Sequence, residues 1–228
     1  MRHLHTKRTA FTMIELVFAI VVIGILASLA MPRIDRDLVT EAATNILADI
    51  RYTQHLALMD NMHEWNDPMW QQKFWRIVFS DCNDNNYFYM IGSDTSKDSS
   101  NSANFAQAEA ALDPTNNLPL FYNCVTATKP NVSQRIFITD KYGITNIVAN
   151  NECSNNNTNR HIGFDYLGRP HWNFSASTQP NSASYMNNDC TFTFTMSTDA
   201  NNDDKNDTFQ IQINAETGYA FIVGQPDS

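Results

Sequence analysis

Basic residues are few in this sequence: Lys and Arg number 15 against 24 Asp and Glu in 228 residues. Three of the basic residues, Arg2, Lys7 and Arg8, lie within the first ten positions. The rest of the chain contains the other twelve basic residues and all 24 acidic residues, so its net charge is −12. An acidic surface repels phosphate groups. The charge balance therefore argues against nucleic acid as a partner.

The sequence also has no CxxC pair, which argues against a zinc site. Its cysteines are widely spaced, at Cys82, Cys124, Cys153 and Cys190. If this region lies outside the cytoplasm, two disulfides with three connectivities are expected. Pairing Cys82 with Cys124 and Cys153 with Cys190 would close two local loops. Four unpaired buried thiols are the alternative.

Recognisable catalytic motifs are missing as well. The histidines outside the first ten residues show no ligand-pair spacing, and none stands beside a Ser, Cys or Glu in a known motif. They are His55, His63, His161 and His171. We therefore predict no enzymatic activity and no catalytic residues.

One long apolar run is present, at residues 11–31, behind a short basic segment at residues 1–10. At 1.5 Å per residue the run can cross a hydrocarbon core about 30 Å thick. The basic residues ahead of it favour a cytoplasmic N-terminus, so the rest of the chain would lie on the far side of the membrane. The run contains one charged residue, Glu15.

Three interpretations compete for this N-terminus. An ordinary secretory signal has a shorter apolar stretch than the run at residues 11–31. A plain single-pass anchor explains the length but leaves Glu15 unexplained, because an isolated carboxylate in lipid costs at least about 2.5–3.5 kcal/mol. The third interpretation is a segment in which Glu15 has a partner.

A short basic leader is followed by the small residue Ala10 and then by Phe11, Thr12, Met13, Ile14, Glu15 and Leu16. This arrangement resembles the class III signal of type IV prepilins and pseudopilins. The resemblance implies that a membrane peptidase cuts between Ala10 and Phe11 and that Phe11 is then N-methylated. The family usually has Gly where this chain has Ala10. The resemblance also implies that Glu15 pairs with the N-terminal amine of a neighbouring subunit, which offsets the desolvation of both charges.

Residues 32–66 continue a helical pattern with an apolar stripe, formed by Ile34, Leu38, Ala42, Ile46, Ile50 and Ala57. Residues 67–228 predict a β-rich head, with strands at 74–79, 87–91, 135–139, 144–149, 161–167, 191–197, 209–213 and 219–223. The fold class expected is α+β, with a long N-terminal helix packed against an antiparallel sheet. Aromatic residues cluster where helix and head join, at Trp65, Trp70, Phe74 and Trp75. Such a cluster favours a core, although one or two exposed tryptophans could serve contacts between subunits.

Three segments, 50–57, 162–169 and 211–219, resemble the H-type minor pseudopilins of type II secretion and related minor type IV pilins. DNA-binding members of that branch carry a basic motif after the last Thr-Gly turn. Here Tyr219, Ala220, Phe221 and Ile222 follow that turn. The resemblance therefore gives no support to direct DNA capture.

The loop from Asp199 to Asp207 is the one candidate metal site. Its oxygen-bearing side chains have a spacing similar to a calcium loop, with candidate ligands Asp199, Asn201, Asp203 and Asp207. It lacks the Gly at position six and the Glu at position twelve of an EF-hand. A solvated acidic hairpin tip is the favoured interpretation. Calcium is thus a possible ligand, and no other cofactor is expected.

The function expected is that of a minor pilin or pseudopilin in the inner membrane, with a cytoplasmic N-terminus and a periplasmic head. The resemblance implies prepilin peptidase, an inner-membrane assembly platform and other pilin subunits as partners. The filament would be a type II secretion pseudopilus or a type IV pilus. The alternative is a ligand-binding module at a pilus tip that takes calcium, DNA or a secreted substrate.

Overall fold

The computed structural model describes residues 12–82, 85–97, 105–150, 153, 160–199 and 206–225, and for residues 28–37 it describes the backbone alone. The fold is α+β, with one long helix, α1 (Met13–Met59), followed by eight strands and a short helix, α2 (Ile138–Tyr142). The strands are β1 (Trp75–Cys82), β2 (Asn86–Gly92), β3 (Ile144–Ala149), β4 (Arg160–Phe164), β5 (Pro170–His171), β6 (Cys190–Met196), β7 (Thr208–Ile213) and β8 (Ala220–Ile222).

The C-terminal half of α1 packs on the head through the predicted stripe. Ala42, Ile46, Ile50 and Ala57 are buried, as the 3.6-residue period requires. The helix contacts β1 and β4 as well as β7 and β8. It ends at Met59, so residues 60–66, which the prediction included in the amphipathic segment, are not helical. Here the Asn61 side chain accepts the His63 N–H at 2.9 Å, a local bond that competes with the helical pattern.

Within the described part of the chain, no helix has both the length and the hydropathy of a membrane-spanning segment. Membrane crossing by residues 11–31 therefore stays a prediction.

The strands form two four-stranded antiparallel sheets, where one sheet had been expected. The first has the order β2-β1-β4-β5 and the second has the order β3-β6-β7-β8. The hairpins β1–β2 and β6–β7 place Ile77 opposite Ile91 and Phe194 opposite Phe209. Phe79 of the first sheet packs edge-on or tilted against Phe192 and Phe194 of the second, with ring centroids 5.0 and 5.4 Å apart. The two sheets therefore share one aromatic core.

The strand predicted at 135–139 is wrong. A 3-10 turn at Gln134–Ile136 and helix α2 occupy this stretch. Gly143 ends α2 with φ 71°, and its N–H bonds to the Thr139 carbonyl at 2.8 Å. Glycine adopts this left-handed conformation at little cost and commonly ends a helix. The apolar residues before Gly143 therefore form a helical turn instead of a strand.

Two disulfides join segments of the head, with the connectivity that local loop closure favoured. Cys82 is bonded to Cys124 with a Cα–Cα distance of 5.8 Å, and Cys153 to Cys190 with one of 5.4 Å. The first bridge ties the end of β1 to a loop. The second ties the start of β6 to the segment before β4. Both therefore restrain connections outside the strand ladders.

Candidate functional site

The described chain begins at Thr12, which caps the start of α1. The Glu15 carboxylate lies 3.5 Å from both the backbone nitrogen and the hydroxyl of Thr12, at the outer limit of a hydrogen bond. Glu15 therefore faces the first turn of the helix, where the helix dipole favours a negative charge. Ala10 and Phe11, the residues of the predicted cleavage site, lie outside the described residues.

The N-terminal half of α1 exposes an apolar surface all round. Every side chain in residues 12–27 is exposed, and Phe18 and Ile20 show 71% and 57% of their surface. The large residues among them are Met13, Ile14, Leu16, Val17, Phe18, Ile20, Val21, Val22, Ile23, Ile25 and Leu26. A stretch of this size needs a nonaqueous or protein environment to cover it. This surface is the candidate assembly site.

A buried charge network fixes the other half of α1 to the head. Asp49 of α1 is 2% exposed and accepts hydrogen bonds from the Tyr89 hydroxyl and the Arg135 guanidinium. Arg135 also lies 3.3 Å from Asp113, which accepts a 2.5 Å bond from the Ser133 hydroxyl. One arginine thus bridges two buried carboxylates from distant parts of the chain.

Burial raises the pKa of Asp49 and raises the pKa of Tyr89 well above its usual value. For Asp113, burial is opposed by hydrogen bonds from Ser133 and Thr115, and the net effect is a lowered pKa. The lowered pKa keeps Asp113 ionised at neutral pH. The Asp113 charge therefore helps to balance the Arg135 guanidinium in the interior.

A second set of contacts brings together the segments 50–57, 162–169 and 211–219. Gln54 of α1 donates hydrogen bonds to the carbonyls of Gly168 and Thr217 at 2.9 and 3.1 Å. Arg51 donates to the Ala220 carbonyl at 2.8 Å. Gly218 has φ 70°, and a Cβ there would lie 2.2 Å from the Gly168 carbonyl oxygen. The motifs therefore form a joint between helix and head.

Sequence reasoning did not identify Asp49, Arg135 or Asp113. A signal for Asp49 was present, because it lies three residues after Ile46 and next to Ile50, on the buried side of an amphipathic helix. An acidic residue in such a position needs a partner in the head. The partner itself is 86 residues away and has no sequence signature.

His171 has the neighbours of a catalytic triad but lacks access to a substrate. Its Nδ1 lies 2.9 Å from the Ser184 hydroxyl and its Nε2 lies 3.4 Å from the Asp165 carboxylate. Ser184 and His171 are fully buried, and the Ser184 hydroxyl donates to the Asn181 carbonyl at 2.7 Å. A buried nucleophile bonded to backbone cannot reach a substrate. The cluster is therefore a structural network.

The loop predicted as a calcium site connects β6 to β7. Asn201 and Asp203 lie outside the described residues. Near the strands, the Asp207 N–H bonds to the Thr198 carbonyl at 2.7 Å, which closes the base of the hairpin. Among the residues that are described, no group of three or more His, Cys, Asp or Glu side chains forms a metal site. Calcium binding by the whole loop stays a prediction.

The aromatic cluster at the end of α1 divides into buried and exposed members. Phe74 is buried, Trp70 and Trp75 are half-buried, and Trp65 is 90% exposed. The Trp75 indole N–H donates to the Asp60 carboxylate at 3.1 Å. The predicted core at this place thus includes Phe74, and Trp65 is an exposed tryptophan of the kind that the prediction allowed.

Residues 5–31 match the prokaryotic N-terminal methylation motif. This motif is the class III signal peptide of type IV pilins and pseudopilins, so the resemblance drawn from residues 10–16 is confirmed. It identifies the chain as pilin-like at its N-terminus. Comparison with curated proteins and with solved structures gave no significant match.

Proposed function

We propose that the protein is a minor subunit of a type IV pilus or a type II secretion pseudopilus, assembled through α1. One observation carries the proposal. The methylation motif leads directly into a continuous helix whose first half exposes apolar side chains and whose second half is locked to a folded head. A filament subunit needs both properties, because one end must pack against neighbours while the other presents a folded domain.

In this proposal prepilin peptidase cuts between Ala10 and Phe11, and the new amino group of Phe11 is methylated. The chain then sits in the inner membrane with its head in the periplasm until an assembly platform extracts it. Glu15 is the fifth residue of the mature chain. Its carboxylate pairs with the N-terminal ammonium of a neighbouring subunit, and this pairing offsets the cost of placing both charges in a low dielectric.

Mass spectrometry of the native protein tests the processing step. The mature chain is expected to begin with N-methylated Phe11. Ala10→Leu should block cleavage because the bulky side chain replaces a small one at the cut, whereas Ala10→Gly, with the usual family residue, should be processed. Native protein that retains Met1 would overturn the proposal.

A deletion strain would distinguish a type II secretion pseudopilus from a type IV pilus. Secreted proteins and pilus-dependent DNA uptake should be measured in parallel in the same cultures. Loss of secretion with normal uptake would identify a pseudopilus subunit, and the reverse would identify a minor pilin. If both processes are normal in the deletion strain, the protein is not required in either filament.

The alternative is a ligand-binding module at a filament tip. With a net charge of −12 behind the leader, the chain offers little attraction for DNA. The described residues support a different kind of ligand, at the exposed Trp65.

A further inference from the structure

Trp65 is the most exposed large hydrophobic side chain of the described residues, at 90%. It follows the end of α1, in a segment fixed on both sides by local hydrogen bonds. Burying a tryptophan stabilises a fold by a few kcal/mol, so leaving one in water forgoes that gain. An indole held out from a structured segment is available for a contact with something outside the chain.

Trp65 forms one wall of an open groove of about 430 Å³. The groove is lined by His63, Trp65, Asn66, Asp67, Pro68, Trp70, Gln179 and Pro180. Trp70 is held in place from two sides, edge-on to His63 at 4.5 Å and to Phe74 at 5.2 Å between ring centroids. The volume lies in the range of small-ligand sites. Because the Trp70 side chain is already packed, ligand binding would cost little conformational entropy at this side chain.

The polar side chains of the groove are suited to an uncharged ligand. Asn66 and Gln179 each offer a carbonyl and an NH₂ group, and among the described residues neither amide is engaged by the protein. The carboxylate of Asp67 is neutralised by Lys97 at 2.9 Å and Lys73 at 3.1 Å. The groove thus offers hydrogen bonds to hydroxyl groups without a free charge to attract an ion.

A second groove, of about 420 Å³, shares Gln179 and Pro180 with the first. Its remaining lining consists of small or polar residues, namely Asn173, Ala176, Ser177, Thr178 and Asn181. The Asn181 amide is already bonded within the protein, to the Asn173 carbonyl and the Ala183 N–H. An apolar protein surface would leave the other exposed amides and hydroxyls of this groove without partners. A hydroxyl-rich chain that crosses from one groove to the other would satisfy them.

We propose that these two grooves bind a neutral oligosaccharide, with Trp65 as the platform on which one sugar ring stacks. The C–H face of a pyranose carries partial positive charge and meets the negative face of an indole. The hydroxyl groups at the ring edge then bond to Asn66 and Gln179. The site is independent of filament assembly, so failure of one proposal leaves the other standing.

Surface plasmon resonance of the full chain on immobilised pentasaccharides tests the site. The probes are cellopentaose, maltopentaose, chitopentaose and a β-galactopentaose, with a polygalacturonic pentasaccharide as the anionic comparison. The chain should be kept in a polyoxyethylene detergent, since maltoside detergents carry a competing sugar. At least one neutral probe is expected to bind saturably, and more tightly than the anionic one.

Trp65→Ala is expected to weaken that binding about tenfold or more, which corresponds to about 1.4 kcal/mol, and Trp65→Phe should weaken it less. Tyr219→Ala is the matched control, because it removes another exposed aromatic side chain outside both grooves. Equal thermal melting of wild type and Trp65→Ala would show that the fold is intact.

Three results would overturn the proposal: none of the four neutral sugars is retained, Trp65→Ala binds as tightly as wild type, or the anionic probe binds best. A polyproline peptide should be run on the same chip. If the peptide binds at Trp65 while the sugars do not, the groove is a peptide site.

Discussion

The two halves of α1 share one helical backbone but have opposite surroundings. In the first half, residues 12–27 expose apolar side chains on every face. In the second half, Ile46 and Ile50 are buried against two sheets, and Arg51 and Gln54 bond to the head. The chain therefore covers the second half itself and leaves the first half to be covered from outside. The exposed apolar surface of the first half is therefore available for contacts with other subunits, whereas the buried surface of the second half is not.

Charge follows the same division. In the second half, Asp49 is buried and has both Arg135 and Tyr89 as partners within the chain. In the described part of the first half, Glu15 is the single charged residue, and its contacts are the two 3.5 Å approaches to Thr12. A charge in the covered half should therefore affect folding, whereas the charge in the uncovered half should affect assembly.

The largest effect is expected at Glu15. Glu15→Gln removes the charge and keeps the size, so the subunit should be processed and folded normally but lost from sheared filaments by at least about tenfold, because the neighbouring ammonium loses its counter-charge. Immunoblots of the filament and membrane fractions measure this. Glu41→Gln on the exposed face of the same helix is the control. Wild-type amounts of Glu15→Gln in filaments would contradict the division of roles.

Arg135→Ala is expected to have the opposite result, with a large loss of stability. It leaves Asp49 and Asp113 buried without their cation, which costs about 3–5 kcal/mol. Urea unfolding of the full chain, followed by tryptophan fluorescence, measures the loss. Lys129→Ala breaks an exposed pair with Asp140 and should cost less than about 1 kcal/mol. Equal effects of the two variants would mean that the buried network does not fix the helix.

A matched pair of isoleucines compares the two halves directly. Ile50→Ala removes a side chain with no exposed surface and should cost about 2–5 kcal/mol through lost burial and a cavity. Ile20→Ala changes a side chain that is 57% exposed and should shift the unfolding free energy by less than about 0.5 kcal/mol. Both are measured in the same urea titration. A large loss for Ile20→Ala would show that the first half packs on the head.

Much of this division could be predicted from the sequence, because it depends on periodic patterns. The stripe through Ala42, Ile46 and Ile50 follows the helical repeat, and the alternation of Phe192, Phe194 and Met196 follows the strand repeat of β6. The N-terminal motif is a local string of residues, so it too could be read directly. The loops closed by the two disulfides are short enough that pairing neighbours in sequence was the natural choice.

The remaining features depend on contacts between distant segments, which no local pattern encodes. The strand predicted at 135–139 failed because a short apolar run fits a helical turn as well as a strand, and Gly143 decided between them. The bond from Arg135 to Asp49 joins residues 86 apart. The exposure of Trp65 depends on the path of the chain between the end of α1 and the start of β1. Such features require the three-dimensional structure.

The smallest effect is a pH dependence of the head. His161 lies in β4 beside Phe174, and burial together with the Arg76 charge lowers its pKa to about 3. The unfolded value is about 6.5, so the folded state favours the neutral ring. Stability should be complete above pH 6.5 and fall as the pH decreases towards 3, by up to about 1.4 kcal/mol per pH unit.

Urea titrations at pH 6.5 and 5.5 cover the range in which an unfolded histidine titrates, while Asp and Glu in the unfolded chain titrate mainly below it. His161→Leu removes the titrating ring while keeping an apolar side chain near Phe174, so the pH slope should flatten by close to one proton even if the variant is less stable overall. His55→Gln, at an exposed histidine of α1, is the control. An unchanged slope in His161→Leu would mean that the ring is not held neutral, and the acid sensitivity would then belong to another part of the head.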